Sequence, residues 1–159
     1  MAVTEKSFDV VAPFKGDPFV GHLSTPITTS SLTKAYLNLC PAYKTGLSPL
    51  LRGINIGFVH GYLLLGPFVK LGPLRNSEVA NFVGFVSTIS LLIILTTCLL
   101  IYGFVTFSDK KDETKTSTVD FLTAKGWRQF TSGFIVGGFG GAGIAYTILK
   151  FVTLESFGL

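Results

Sequence analysis

Three long stretches of this 159-residue chain contain no Asp, Glu, Lys or Arg: Gly53 to Val69, Val79 to Ser108 and Gln129 to Leu149. That lack removes acids, bases and ion relays from the most apolar parts of the sequence, and no zinc or di-iron ligand cluster stands elsewhere. Enzyme readings fail for want of parts. Cysteine is scarce as well. Cys40 and Cys98 have no CxxC or His partner spacing and fall at different expected depths, so they read as packing residues rather than a disulfide or metal pair. Histidine is limited to His22 and His60, and His22 lies well before the first charge-free stretch. A haem held by two histidines at membrane depth, and the electron transfer it would serve, is therefore disfavoured.

What is present is apolar. Hydrophobic residues make up 48% of the chain and charged residues 14%, against about 25% charged in an ordinary soluble domain. Each charge-free stretch approaches or exceeds the roughly 20 residues that cross a bilayer core. The first closes with Gly66-Pro67, so it is expected to extend into its flanks, with Arg52 and Lys70 reaching the interfaces. The expected fold is an all-α membrane protein with three transmembrane helices, spans 52–71, 79–107 and 128–152, preceded by a separate segment 1–50. A soluble fold would have to bury three helices that are hydrophobic all round.

Basic residues are distributed unevenly about these spans. Ten of the 13 lie in the N-terminal segment and the second connection, and Lys70, Arg75 and Lys150 lie on the other side. This bias predicts an N-terminus on the side of synthesis. The net charge of +4 then belongs chiefly to one surface, where it can meet anionic headgroups or an acidic protein face. The bases are scattered rather than clustered, which argues against nucleic acid as a partner.

Residues 1–50 have neither a signal-peptide nor a transit-peptide pattern, because Asp9, Asp17 and several prolines interrupt any continuous apolar core. Pro13, Pro18, Pro26, Pro41 and Pro49 cut the segment into extended pieces, with room for one helix over Leu32 to Leu39 capped by Ser31 or Thr29. So apolar and broken a segment is expected to drape over partner subunits. The second connection, 108–126, mixes charges of both signs and reads as a solvated loop; Trp127 and Arg128 after it read as an interfacial anchor.

Glycine recurs every fourth residue in two spans, at Gly53, Gly57 and Gly61 and again at Gly133, Gly137 and Gly141. A smooth face of this kind admits a second helix or a flat macrocycle. For the third span helix packing is favoured. For the first, the proximity of His60 to Gly57 and Gly61 favours a macrocycle. An imidazole in lipid needs a partner, either a neighbouring helix's carbonyl or a metal. A magnesium tetrapyrrole takes a single axial ligand, which one neutral imidazole nitrogen can supply.

The segments Gly16-Asp17-Pro18-Phe19-Val20-Gly21-His22-Leu23-Ser24-Thr25-Pro26, Ser48-Pro49-Leu50-Leu51-Arg52-Gly53, His60-Gly61-Tyr62, Gly66 to Arg75 and Gly126-Trp127 together resemble the photosystem I reaction-centre subunit XI family, PsaL, in order along essentially the whole chain. The resemblance implies a three-helix, non-catalytic subunit of photosystem I in the thylakoid membrane, its Pro-rich N-terminal segment stromal. It implies chlorophyll a and β-carotene as cofactors. Other photosystem I subunits, including the core reaction-centre proteins, light-harvesting antenna proteins and thylakoid lipids, are the implied partners.

In that family a glutamate and, five residues on, a histidine of the first span both serve chlorophyll magnesium. His60 matches the histidine, whereas Asn55 stands at the glutamate position. An amide offers a neutral oxygen in place of a charged one, so weak retention of that second chlorophyll is expected. Asn76 stands where trimer-forming cyanobacterial relatives typically carry an aspartate that helps hold calcium between copies. Its neutral side chain should weaken such a site, and Arg75-Asn76 resembles the plant and algal members, which implies a monomeric photosystem in a chloroplast. The competing reading is a pigment-free assembly subunit of another membrane complex, with His60 bonded to a helix neighbour.

Overall fold

The computed structural model describes residues 12–13, 23–44, 46–107 and 123–156. The chain divides into two units, Met1–Thr45 and Gly46–Leu159.

In the first unit, β1 (Ala12–Pro13) and β2 (Leu23–Ser24) pair antiparallel, with Ala12 opposite Ser24. A threonine-rich turn follows. The backbone N–H of Thr28 donates to Thr25 Oγ1 at 3.1 Å, and that of Thr25 donates to Thr28 Oγ1 at 2.9 Å. This reciprocal pairing leads into α1 (Ser31–Leu39), whose N-cap is Ser30, accepting from the Thr33 N–H at 3.2 Å. The cap thus falls one residue from the expected Ser31 or Thr29, because Ser30 holds the extended backbone that capping requires. The helix stops at Cys40, whose extended conformation suits the residue before Pro41. No residue of α1 is buried, and Leu32, Tyr36 and Leu39 stand exposed.

The second unit consists of α2 (Pro49–Leu71), α3 (Ala80–Phe107) and α4 (Ala124–Ser156). Ser48 caps α2 and Pro49 opens it, where a missing N–H costs nothing. The helix continues through Pro67 to Leu71. Its 23 residues reach about 35 Å, enough for a hydrocarbon core of about 30 Å. All three helices are long and apolar enough to cross a membrane. Much of what they present outward is hydrocarbon-like: Leu63, Ile94, Phe104 and Phe151 are all well exposed. Such helices satisfy their backbone groups internally, as a bilayer demands.

The glycine stripes of α2 and α4 meet. A Cβ on Gly53, Gly57 or Gly61 would collide with the backbone carbonyl of Phe130, Phe134 or Gly138 respectively. The relation is reciprocal, since Gly133, Gly137 and Gly141 lie on the carbonyls of Leu50, Ile54 and Phe58. Both series ascend together, so α2 and α4 run parallel, as a first and third span must. The expectation that α2's glycines bed a macrocycle is corrected here: α4 fills that space, and Gly57 and Gly61 are buried beneath it.

α3 runs antiparallel to both. Leu92, fully buried, packs with Phe134 and Ala142, while Leu65, Val69 and Ala145 form a second cluster with Phe85 and Tyr146 against them. Thr88 and Thr131 are buried too, but their hydroxyls donate back to the carbonyls of Gly84 and Trp127 on their own helices. Trp127 departs from the simple interfacial anchor expected. Its Nε1–H reaches across to donate to Leu99 O at 2.7 Å, and its ring fills the notch left by Gly103.

Candidate functional site

α2 turns its glycine stripe inward, so its polar side chains fall elsewhere. At about 100° per residue, Asn55 and His60 lie about 140° apart around the helix. Both are exposed. Asn55 belongs to the face that also carries Phe58 and Tyr62, whose rings stack at 6.2 Å. His60 flanks the α4 seam on the other side, where its ring meets the edge of Phe134 at 5.5 Å. Phe58 therefore belongs to Asn55's face, whereas Leu64 lies on the side of His60.

The hydrogen bonds decide what these groups can offer. His60 Nδ1 lies 2.8 Å from the carbonyl oxygen of Ile56, one turn earlier. An oxygen can only accept, so Nδ1 carries the proton, and in the neutral ring Nε2 keeps its lone pair. That nitrogen has no partner among the described residues. The neighbouring-helix carbonyl considered from sequence is replaced by one from His60's own helix. In Asn55 the amide nitrogen donates to Leu51 O at 2.8 Å, which leaves Oδ1 as a free neutral acceptor. Each polar side chain is thus tethered by one atom and open at the other.

Among the described residues, no group of three or more His, Cys, Asp or Glu could enclose a metal ion. The available donors are single, neutral and separated. This set does not suit a bare ion. Each side chain could supply at most one neutral Lewis base. Ile56 O and Phe134, which fix the tautomer and limit the ring's rotation, were not singled out from sequence; the i, i−4 spacing of Ile56 was a signal for the first. Cys40 and Cys98 are both free. Asn76 lies exposed in the turn joining α2 to α3, which is closed by backbone bonds from Arg75 to Gly72 O at 3.2 Å and from Ser77 to Leu74 O at 3.0 Å. His22 and the loop 108–122 fall outside the described residues.

Fold and site together define a class: a three-helix membrane subunit with a glycine seam between its first and third helices and two exposed polar side chains on the outside of α2. The family model for photosystem I reaction centre subunit XI, PsaL, matches residues 10–154. Proteins named photosystem I reaction center subunit XI are similar over nearly the full length. That of Porphyra purpurea is 53% identical over 95% of this chain and 96% of its own. That of Gracilaria tenuistipitata var. liui is 54% identical over 95% and 98%, and that of a Cyanothece species 51% over 91% and 89%. The chain belongs to the photosystem I reaction centre subunit XI family.

Proposed function

We propose that this chain holds pigment within photosystem I, with chlorophyll a at His60 and β-carotene along its outer apolar faces. The reading places it in a chloroplast thylakoid with a stromal N-terminus, in keeping with the ten basic residues on that side. It carries no reaction of its own. The observation that supports it is the His60 tautomer: with Nδ1–H held by Ile56 O, Nε2 keeps its lone pair on an exposed side chain midway along α2. A bound tetrapyrrole would supply light absorption and excitation transfer. The chain's part is to hold and orient it. Ile56 O fixes the tautomer that leaves Nε2 available to ligate, and Phe134 restrains the ring plane.

Asn55 is the weaker of the two ligand positions. Its free Oδ1 can reach a second magnesium directly or through water, without the charge that a glutamate would bring. Other photosystem I subunits, including the core proteins, would cover the exposed Leu32, Tyr36 and Leu39 of α1, and antenna proteins would dock at an outer edge. Asn76, exposed and uncharged in its turn, favours a monomeric complex over one bridged by calcium.

The test is a His60→Leu substitution in the assembled complex, followed by pigment extraction and low-temperature absorption and circular dichroism. The expected result is fewer chlorophylls per complex and an altered spectrum, with the subunit still incorporated because His60 lies outside the glycine seam. Unchanged pigment content and spectrum would leave a pigment-free assembly subunit instead.

A further inference from the structure

An apolar groove of about 560 Å³ runs between the last turns of α3 and the first turns of α4. Leu100, Ile101, Phe104, Ala124 and Trp127 line it, and Arg128 supplies its one charge. We propose that this groove seats an anionic glycerolipid, with an acyl chain along Leu100, Ile101 and Phe104 and the phosphate or sulfonate headgroup at Arg128. Three observations converge on that occupant.

The first is polarity. Phe104 is 79% exposed and Ile101 59%, so the groove's wall is hydrocarbon-facing. Trp127 adds only its ring, because its N–H is spent on Leu99 O. The second is depth. Arg128 is the last charged residue before the charge-free run 129–149, and α3's own charge-free run closes just beyond Phe107. Its guanidinium therefore stands where headgroups meet hydrocarbon. The third is charge. Arg128 has no carboxylate partner among the described residues, and Lys125 lies one turn away on the same basic side of the protein. A planar guanidinium matches an oxyanion headgroup in both charge and geometry. A purely apolar helix would leave that cation uncompensated. An amphiphile with an anionic head satisfies both ends of the groove.

The test uses the assembled photosystem carrying the native chain, Arg128→Gln, Arg128→Lys or Ala124→Phe. Each complex is washed extensively in dodecyl maltoside, and the retained lipids are counted per complex by mass spectrometry, which also separates phosphate from sulfonate headgroups. Arg128→Gln is expected to lose a tightly held anionic lipid while neutral galactolipid and chlorophyll counts stay level, and Arg128→Lys to retain part of it. Ala124→Phe, which fills the groove and keeps the charge, should lose the same lipid. If Arg128→Gln does not assemble, Ala124→Phe alone decides. Native anionic-lipid counts in the assembling variants would overturn the proposal, as would loss of a pigment or a neighbouring protein in place of the lipid. The count does not depend on His60, so failure of the pigment reading leaves it interpretable.

Discussion

α4 meets its two neighbours by different means. Toward α2 it lays backbone on backbone, with six glycines interleaved and carbonyl oxygens where Cβ atoms would be. Toward α3 it uses side chains: Leu92 against Gly138, and Trp127 in the notch of Gly103 with its N–H on Leu99 O. The contrast follows from connectivity and solvent. α3 is tied to α2 by the short connection 72–79, so the chain itself keeps the two adjacent. α4 is separated in sequence from both and must find its seat by packing. Lipid offers no hydrophobic drive for that, because hydrocarbon tails are as apolar as leucine. Close backbone approach supplies dispersion and weak Cα–H···O contacts instead. A seam made of missing Cβ atoms also specifies register, since a shift of one residue would place a side chain where a glycine is required.

The sharpest way to break this contrast is to put a side chain into the backbone seam. Gly57→Leu sets a Cβ on the carbonyl of Phe134 with no flexible atom able to yield. The cost should exceed the about 1–3 kcal/mol of ordinary overpacking, because the helices themselves must separate. Retention of the subunit in purified complex after detergent washing should fall steeply; native retention would mean that the seam is looser than the geometry requires. Against this, Trp127→Phe in the side-chain seam removes the bond to Leu99 O while keeping an aromatic ring in the Gly103 notch. The expected loss is about 1 kcal/mol. It should appear as a lowered thermal midpoint with incorporation intact.

The same contrast marks how far the sequence could be read. Three spans were legible because absence of charge over some twenty residues is a one-dimensional signal. The glycine stripes were legible as faces, yet what each face meets depends on a partner about 80 residues away. Periodicity within α2 contains no such information, and His60 beside Gly57 and Gly61 pointed toward a macrocycle that α4 displaces. Trp127 shows the same limit. A tryptophan at the start of a span resembles an interfacial anchor, and only the antiparallel approach of α3 brings Leu99 O within 2.7 Å. His60 was legible as an unusual polar side chain in a charge-free run, but the carbonyl weighed for it was a neighbouring helix's, whereas Ile56 O of its own helix takes the bond.

Between the seams lie the buried hydroxyls, where a smaller effect sharpens the comparison. Thr88 is fully buried and donates to Gly84 O at 2.9 Å, a carbonyl of its own helix. Thr88→Val keeps the shape and removes a hydroxyl that joins no two helices. The change in thermal midpoint should correspond to about 0.5 kcal/mol or less, since the carbonyl can still take the backbone N–H of its own helix. A loss as large as that of Trp127→Phe would show that the hydroxyl serves a partner outside this chain.

The smallest effect should come from a glycine that belongs to neither seam. Gly140 sits within α4 between the seam residues, but it is exposed and a Cβ there would meet nothing within 4 Å. In the isolated subunit Gly140→Ala should be neutral or stabilising by up to about 1 kcal/mol, the usual gain from replacing a mid-helix glycine. Gly57→Leu and Gly140→Ala then differ in cause, although both positions are glycines of a glycine-rich span. Comparison of detergent-solubilised subunit with assembled complex carries the argument further. A substitution that is harmless in the former but expels pigment or a neighbouring subunit in the latter would locate an occupant on this open face. Equal tolerance in both would assign Gly140 to bare lipid.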